Sequence, residues 1–425
     1  MLTEARIQNF KSIQRLQLSL GRVTVLIGEN GSGKSNILEA LALASAASQD
    51  KLDPEFLVSR GIRVAEPQFM RAAFPGSTDD VIEVSLQLGQ AAPRIFRLRY
   101  EHEPSTGWRL RQIVQDRQPE EAPTTALSDE DQARRQKVIE IVDAYLASKY
   151  KDPKLAALAT GAALALSRDD REQNDHLQTV LHTLLKRMVP EPFNALFTVG
   201  VLDNFLFYSP ENSSLRTFER EGQIQPLGVR GEGLFKLLKT LSGPEHQDRW
   251  QDLRENLRLL DWFDDLRIAP NLAPYETTLQ ISDRYLAADR TDELTLLDQR
   301  SANEGFLFLL FYFALLVSKS TPRCFAIDNI DSSLNPKLCS ELLRRLVLLA
   351  KKYDKQVILT THNPAILDGL DLHDEEQRLF VVHRNSQGHT KVRRITPPQP
   401  LGDEPPVKLS EAFLRGILGG LPQNF

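Results

Sequence analysis

Cysteine is scarce in this chain of 425 residues, and the scarcity limits the kinds of site it can carry. The two cysteines are Cys324, beside a predicted buried strand, and Cys339, in a predicted helix. Two thiols placed in this way offer no disulfide framework and do not support a zinc site. The pair fits a protein of a reducing compartment.

Long apolar runs and an excess of positive charge are also absent. The densest apolar run, residues 306–317, is about a dozen residues long, whereas a membrane helix needs about 20. Residues 1–6 lack the charged-then-apolar pattern of a signal peptide. The net charge of −5 does not indicate nucleic-acid binding, although basic clusters at 134–137 and 149–151 leave DNA contact open. We expect a cytoplasmic protein without a membrane segment.

A phosphate-binding loop lies near the amino terminus. Residues 28–35 read GENGSGKS, which matches the pattern G-x-x-x-x-G-K-[ST]. An apolar run at 23–27 predicts a strand before the loop, and residues 37–43 predict a helix after it. Loop N–H groups and the helix start can hold a polyphosphate, with Lys34 at the β- and γ-phosphates and Ser35 on Mg²⁺. The predicted ATP contacts are Asn30, Gly31, Ser32, Gly33, Lys34, Ser35 and Asn36.

Periodicity predicts two kinds of sheet. Period-two alternation over 81–88 and 95–100 predicts antiparallel strands beside the phosphate loop. Residues 234–241 and 250–263 have helical character. Helix and strand patterns then alternate over 303–395, as expected of a parallel sheet covered by helices. The sequence therefore predicts an α/β fold with a mixed sheet and an antiparallel flank.

Composition divides the chain into five segments. A proline-containing linker is followed by a stretch rich in alanine, leucine and charged residues, which predicts a helical insertion. The tail has apolar residues at helical spacing, and we expect them to pack on the protein itself rather than on a partner: Leu409, Phe413, Leu414 and Ile417. The predicted segments are 1–117, first part of the ATPase domain; 118–195, linker and helical insertion; 196–300, return segment with helices; 301–395, second part of the ATPase domain; and 396–425, proline-rich linker and tail.

The second half supplies groups that would complete a nucleotide site. The apolar strand at 323–328 ends in Asp328, where a nucleotide fold holds Mg²⁺ through water. The strand at 356–361 leads to His362, which could sense the γ-phosphate or could be an ordinary satisfied polar group. Small polar residues at 301–305 open an apolar helix and make a second anion site. Because the phosphate loop already cradles one nucleotide, we infer that this second site serves the triphosphate of another subunit.

Together these motifs resemble the ABC-type P-loop ATPases of the RecF/SMC-like group, in particular the stand-alone prokaryotic ATPases related to the OLD family. The motifs that carry the resemblance are residues 9–13, 28–36, 208–210 with 215–216, 301–305, 327–328 with 334–336, and 361–364. Either Ser301 or Asn303 could occupy the family's signature serine position, and Gly305 follows them. The resemblance implies an ABC-type P-loop NTPase fold and a homodimer, or a higher oligomer, whose two heads sandwich two ATP molecules until hydrolysis reopens them.

The resemblance also implies a role. Members of this group act in DNA repair or in defence against phage, and many defence members work with a nuclease or toxin. OLD proteins carry their nuclease after the ATPase, whereas only a short tail follows the last predicted strand here, so we expect a separate effector. We favour an ATP-driven switch for that effector in anti-phage defence. The alternatives are a RecF-like ATPase that clamps DNA directly and, with less support, a small-molecule kinase.

One departure from the family pattern concerns the hydrolysis step. The family normally places a water-polarising glutamate after the Mg²⁺ aspartate, but Asn329 follows Asp328 here. An amide cannot accept a proton, and losing a general base costs roughly 10²–10⁴-fold in rate. We therefore expect slow hydrolysis and a long-lived ATP-bound dimer, unless Asp331 lies near enough to act as the base.

Overall fold

The computed structural model describes residues 1–74, 80–89, 93–103, 107–113, 204–216, 226–268, 279–286, 296–397 and 407–420. All of these residues belong to one compact unit, which comprises Met1–Val114 and Val201–Phe425. The insertion predicted at 118–195, with its basic clusters, lies outside the described residues, as does most of the proline-rich stretch that precedes the tail.

A five-stranded antiparallel sheet forms the predicted flank. Its strands are β1 (Leu2–Phe10), β2 (Ile13–Ser19), β4 (Ile82–Leu88), β5 (Arg94–Glu103) and β6 (Gly107–Gln112), and their order is β2-β1-β4-β5-β6. Ile82, Val84 and Leu86 are buried in the apolar core, whereas Glu83 and Gln87 on the opposite face are partly exposed and Ser85 on that face is 8% exposed. This alternation is what a sheet with one face on the core requires, and it confirms the antiparallel flank.

A six-stranded sheet carries the phosphate loop. Its strands are β3 (Val23–Ile27), β7 (Leu206–Tyr208), β11 (Cys324–Ile327), β12 (Gln356–Thr361), β13 (Gln377–Arg384) and β14 (Thr390–Ile395). The order is β14-β13-β3-β12-β11-β7, and all neighbours are parallel except the antiparallel β13–β14 pair. Parallel strands end at a common edge, so the carboxyl ends of β3, β11 and β12 meet. The predicted mixed α/β fold is confirmed.

Nine α-helices lie in the described part of the chain. They are α1 (Lys34–Ser48), α2 (Pro54–Ser59), α3 (Pro67–Met70), α4 (Asn212–Arg216), α5 (Leu234–Leu241), α6 (Gln247–Leu257), α7 (Glu304–Val317), α8 (Pro336–Lys352) and α9 (Leu409–Leu414), with 3₁₀ turns at Pro244–His246 and Pro364–Gly369. None of these described helices is both long enough and apolar enough to cross a membrane.

The six-stranded sheet separates two apolar clusters. Val23, Val25 and Ile27 of β3 pack in the cluster that contains α7, whereas Leu26 packs in the cluster that contains α1. Successive side chains of a strand point to opposite faces, so one strand supplies both clusters. The apolar run at 306–317 is buried throughout, which explains why it has no polar face.

A small antiparallel sheet corrects one helix prediction. Strands β8 (Phe263–Ile268), β9 (Leu279–Asp283) and β10 (Leu296–Leu297) pair in the order β10-β9-β8. The helix predicted over 250–263 ends at Leu257, and Phe263 is already the first residue of β8. Pairing with β9 buries Phe263 and Leu266 on one face, so tertiary contacts override the helical pattern.

The tail packs on the protein through only part of its apolar set. Phe413 is buried and Leu409 packs partly against the core, but Leu414 and Ile417 are 64% and 61% exposed. The Ser410 hydroxyl donates to Asp368 Oδ2 at 2.7 Å and ties α9 to the 3₁₀ turn. The predicted packing therefore holds for Leu409 and Phe413 and is wrong for the other two residues.

Candidate nucleotide site

The phosphate loop joins the end of β3 to the start of α1, as the sequence predicts. Gly31 and Gly33 have φ values of 75° and 105°, which glycine adopts readily and other residues do not. A Cβ on Gly28 would lie 2.0 Å from the Val382 carbonyl oxygen, and one on Gly33 would lie 2.1 Å from Thr390 Oγ1. The glycines of the motif are thus required both by backbone conformation and by close neighbours.

Lys34 lies inside the loop and is 5% exposed. Its Nζ donates to the carbonyl oxygens of Gly28 and Glu29, at 2.9 Å each. Burial lowers the Lys34 pKa to about 8, although the carboxylates of Asp328, Asp331 and Glu29 oppose the shift. A bound phosphate would add negative charge beside this ammonium and stabilise its charged form.

Ser35 and Asp328 meet at the sheet edge and fit a Mg²⁺ ion. Ser35 Oγ, in the first turn of α1, donates to Asp328 Oδ2 at 3.0 Å. Asp328 Oδ1 also accepts a hydrogen bond from Thr360 Oγ1 at the end of β12. The described residues contain no cluster of three or more His, Cys, Asp or Glu side chains for a metal. Mg²⁺ typically takes one or two protein oxygens and completes its shell with phosphates and water, so this pair is sufficient.

The turn after β11 brings Asp331 to the same edge. Asp331 Oδ1 accepts from Thr361 Oγ1 at 2.6 Å and from the His362 backbone N–H at 3.4 Å. Asn329, between the two aspartates, is exposed, and its backbone N–H donates to Thr360 Oγ1 at 2.9 Å. The structure therefore places both Asn329 and Asp331 beside the predicted metal ligand.

His362 lies against the phosphate loop. Its Nδ1 is 3.4 Å from Lys34 Nζ. Burial lowers the His362 pKa, and the neighbouring Lys34 charge lowers it further, while Asp331 and Asp328 oppose both effects. A lowered pKa favours the neutral imidazole near neutral pH, which can offer one donor and one acceptor to a phosphate or a water. The structure thus places His362 beside Lys34, and its response to the γ-phosphate stays a prediction.

The segment at 301–305 has other contacts. Asn303 is the N-cap of α7, and its Oδ1 accepts from the Phe306 N–H at 2.8 Å. The Ser301 N–H donates to Asp298 Oδ1 at 2.7 Å. Gly305 lies so close to the turn after β11 that a Cβ there would be 3.1 Å from the Ser333 carbonyl oxygen. Ser301 and Asn303 are both exposed, so the structure leaves the signature register open between them.

A polar brace behind the loop includes residues that sequence reasoning missed. Ser12 Oγ lies 2.7 Å from Thr390 Oγ1 and accepts from Asn36 Nδ2 at 2.6 Å. Thr390 Oγ1 lies 2.8 Å from the Ser32 carbonyl oxygen and donates to it. Arg384 Nε donates to the Gly31 carbonyl oxygen at 2.9 Å. Thr390 and Arg384 follow the loop by more than half of the chain, so no local pattern announces them.

A cavity of about 480 Å³ opens beside this brace. Three cations line it, Lys11, Arg63 and Arg384, together with the rings of Phe69 and Phe74. Its volume is in the range of small-molecule sites, and rings with guanidinium groups are the partners on which a nucleobase stacks. The sequence did not predict this cavity, because its walls come from four separate segments.

The sequence model of a family described as "AAA domain, putative AbiEii toxin, Type IV TA system" matches residues 23–368. No curated protein matches the chain.

Similar solved structures include three SMC head domains, each aligned over 93% of this chain. An Smc head bound to the C-winged helix domain of ScpA is 14% identical, is covered over 97% of its length and has a TM-score of 0.49. The SMC head domain from Thermotoga maritima is 13% identical, with 99% coverage and a TM-score of 0.42. An Smc head from Pyrococcus furiosus with an extended coiled coil, bound to the C-terminal domain of ScpA, is 14% identical, with 96% coverage and a TM-score of 0.44.

Proposed function

Because this chain belongs to the family of AAA domains described as putative AbiEii toxins of type IV TA systems, we propose that it is an ATP-driven switch for a separate effector in anti-phage defence. The chain belongs to a family of AAA domains, and its slow ATP cycle, its dimerisation and its effector are the proposed parts. The observation that carries the proposal is the meeting of Lys34, Ser35 and Asp328 at one sheet edge.

The proposed site binds ATP through the loop and holds the phosphates with Lys34. Ser35 and Asp328 would hold Mg²⁺, which supplies positive charge that neutralises the phosphate oxygens. His362 Nδ1, 3.4 Å from Lys34 Nζ, is positioned to respond to the terminal phosphate. Arg384 and Thr390 fix the loop carbonyls of Gly31 and Ser32 from behind. These residues bind and orient the nucleotide.

Hydrolysis in this site is proposed to be slow. Asn329 occupies the position after the metal ligand, and its amide can orient a water but cannot take its proton. Asp331 can take a proton, but Thr361 Oγ1 already donates to its Oδ1 at 2.6 Å. The ATP-bound state is therefore expected to persist.

Dimerisation is proposed to run through the start of α7. Ser301 and Asn303 are exposed there, next to the first N–H groups of a fourteen-residue helix that is otherwise buried. A helix start is a favourable place for an anion. The triphosphate held by the loop of a second copy is the anion that the resemblance indicates. In this arrangement each nucleotide would be sandwiched between two chains.

The effector is proposed to be a nuclease or toxin encoded separately. The family description names a putative toxin of a toxin–antitoxin system, which links such ATPases with a toxic activity. Expression of the chain alone and together with the product of the neighbouring gene tests this division of labour. Growth arrest by this chain alone would show that it is the toxic component itself.

One observation favours direct DNA binding as the second candidate function. The outward face of the antiparallel sheet carries six arginines, namely Arg6, Arg15, Arg97, Arg99, Arg109 and Arg111. Carboxylates pair with Arg6, Arg97 and Arg99, as in the 2.7 Å contact between Arg97 and Glu83. Binding of bare DNA by the ATP-loaded protein, weakening steeply with salt, would favour this function over the effector switch.

The proposed function is tested by nucleotide binding and mass measurement on the same protein. Wild-type protein should bind Mg-ATP and shift from monomer to dimer in analytical ultracentrifugation. Lys34→Ala should abolish binding, and Ser301→Arg should keep binding but block dimerisation. A wild-type protein that binds ATP and stays monomeric at any concentration would contradict the sandwich.

A further inference from the structure

Glu39 is a fully buried carboxylate in the second turn of α1, directly behind the phosphate loop. Its Oε1 accepts from Arg63 Nε at 2.5 Å, and its Oε2 accepts from Lys11 Nζ. Lys11 Nζ also donates to the Arg63 carbonyl oxygen at 2.9 Å. A buried carboxylate is tolerated when it is paired and hydrogen-bonded, and here each of its oxygens has its own cation.

The turn that delivers Lys11 is held in an uncommon conformation. Asn9 and Lys11 have φ values of 55° and 48°, in the left-handed region that residues other than glycine seldom adopt. The Lys11 N–H donates to the Met70 carbonyl oxygen at 3.0 Å, and the Ala72 N–H donates to Asn9 Oδ1 at 3.1 Å. Such conformations persist where surrounding contacts fix them, and they cluster at binding sites.

The two cations point from Glu39 to the cavity. Lys11 and Arg63 both line it, with 12% and 68% of their side chains exposed. One carboxylate and two cations leave one positive charge in surplus on this wall. Glu39 therefore orders both cations without neutralising the wall. Arg63 Nη2 also donates to Asn36 Oδ1 at 3.3 Å, which connects the wall to the loop motif.

We propose that Glu39 is a positioning residue for nucleotide binding: it fixes Lys11 and Arg63 on the cavity wall so that their surplus charge meets an anionic nucleotide. Glu39 itself does not touch the nucleotide. The inference rests on the proposed ATP site and adds to it a residue that acts through two others. It also explains why an acidic residue is buried next to a site that binds anions.

The test compares Mg-ATP affinity by titration calorimetry in the full chain. Glu39→Gln keeps the shape of the side chain and removes its charge, so Lys11 and Arg63 lose their common anchor. Because both cations lose a charge-assisted hydrogen-bond partner, we expect Kd to rise by about 10- to 100-fold. Glu39→Asp, which keeps the charge on a shorter stem, should recover part of the loss.

Glu376→Gln is the matched control. Glu376 forms a half-buried ion pair with Arg22, which precedes β3 at the edge of the sheet opposite the loop. Its loss should lower thermal stability without changing Kd. A double-mutant cycle combines Glu39→Gln with Arg63→Gln and compares the Mg-ATP affinity of the double variant with that of the two single variants. This comparison tests whether Glu39 acts through Arg63, which a stability measurement alone cannot do. If Glu39 acts through Arg63, the two losses should be clearly less than additive.

The outcomes separate the two proposals. A wild-type protein that fails to bind Mg-ATP overturns the proposed function, whatever Glu39 does. A wild-type protein that binds, with unchanged affinity in Glu39→Gln, overturns the positioning role alone, as do fully additive losses in the cycle. If Glu39→Gln does not fold, Arg63→Gln and Lys11→Met decide, and wild-type affinity in both refutes the proposal.

Discussion

Replacing Asn329 with glutamate should accelerate ATP hydrolysis, because it puts a proton acceptor directly after Asp328. The Asn329 side chain is exposed at the nucleotide edge, and its backbone is fixed by the 2.9 Å bond from its N–H to Thr360 Oγ1. A carboxylate at this position would therefore start from an anchored backbone.

The expected gain is at the lower end of general-base catalysis. A positioned base contributes roughly 10²–10⁴-fold, and a base with its pKa near the working pH is the most effective. Against this, Asn329 has a φ of 50°, a conformation that asparagine tolerates and glutamate adopts only with strain. That strain loosens the placement of the new carboxylate. We expect kcat to rise by about 100-fold.

Steady-state phosphate release at saturating Mg-ATP measures the effect, with Lys34→Ala as the background. Asn329→Gln is the matched variant, because it has the length and the backbone strain of glutamate but cannot accept a proton. Equal rates for the glutamate and glutamine variants would refute the reasoning. A fall in the wild-type rate on Asp331→Asn would instead identify Asp331 as the existing base.

Three further predictions concern the loop, its brace and the tail. Because the Lys34 pKa is about 8, the free protein loses this positive charge as the pH rises through 8. ATP affinity should therefore fall by about tenfold per pH unit above pH 8. Lys34→Arg, which stays charged, should bind ATP equally well at pH 7 and pH 9. Thr390→Val removes the hydrogen-bond donor to the Ser32 carbonyl oxygen, so the free energy of unfolding in urea titrations should fall by about 1–3 kcal/mol. ATP affinity should fall as well. An unchanged Kd for ATP would mean that these contacts do not shape the loop. Phe413→Ala should lower the free energy of unfolding by about 3 kcal/mol, because the ring is only 5% exposed. Leu414→Ala is the control: this side chain is 64% exposed, so the melting temperature should not change. Equal effects of the two substitutions would contradict the packing of α9.

The features that the sequence predicted correctly depend on residues that lie close together in the chain. The phosphate loop could be predicted because its glycines, Lys34 and Ser35 are adjacent in sequence. Asp328 and His362 could be predicted because a polar residue at the end of a buried parallel strand must lie at the shared edge. The helix boundary at Leu257 could not, since the pairing of β8 with β9 decides it.

Long-range contacts account for what the sequence did not reveal. Thr390 and Arg384 contact the loop only because β13 lies beside β3 in the sheet, a neighbour relation that no periodicity encodes. The pairing of Glu39 with Lys11 and Arg63 has the same origin, because it joins three segments through a cavity wall. In the sequence alone, Glu39 is an ordinary acidic residue within a helix.

The turn between β11 and α8 joins the two halves of the proposed composite site within one chain. In the first half of the turn, Asp331 accepts a hydrogen bond from Thr361 and lies beside His362 and Lys34. At its second half the Ser333 carbonyl oxygen lies against Gly305 at the start of α7. Asn329 and Ser333 hold left-handed φ values, so the turn has little freedom to relax. The same short turn therefore contacts both the γ-phosphate side of this chain's own site and the helix start that is proposed to face the partner's nucleotide.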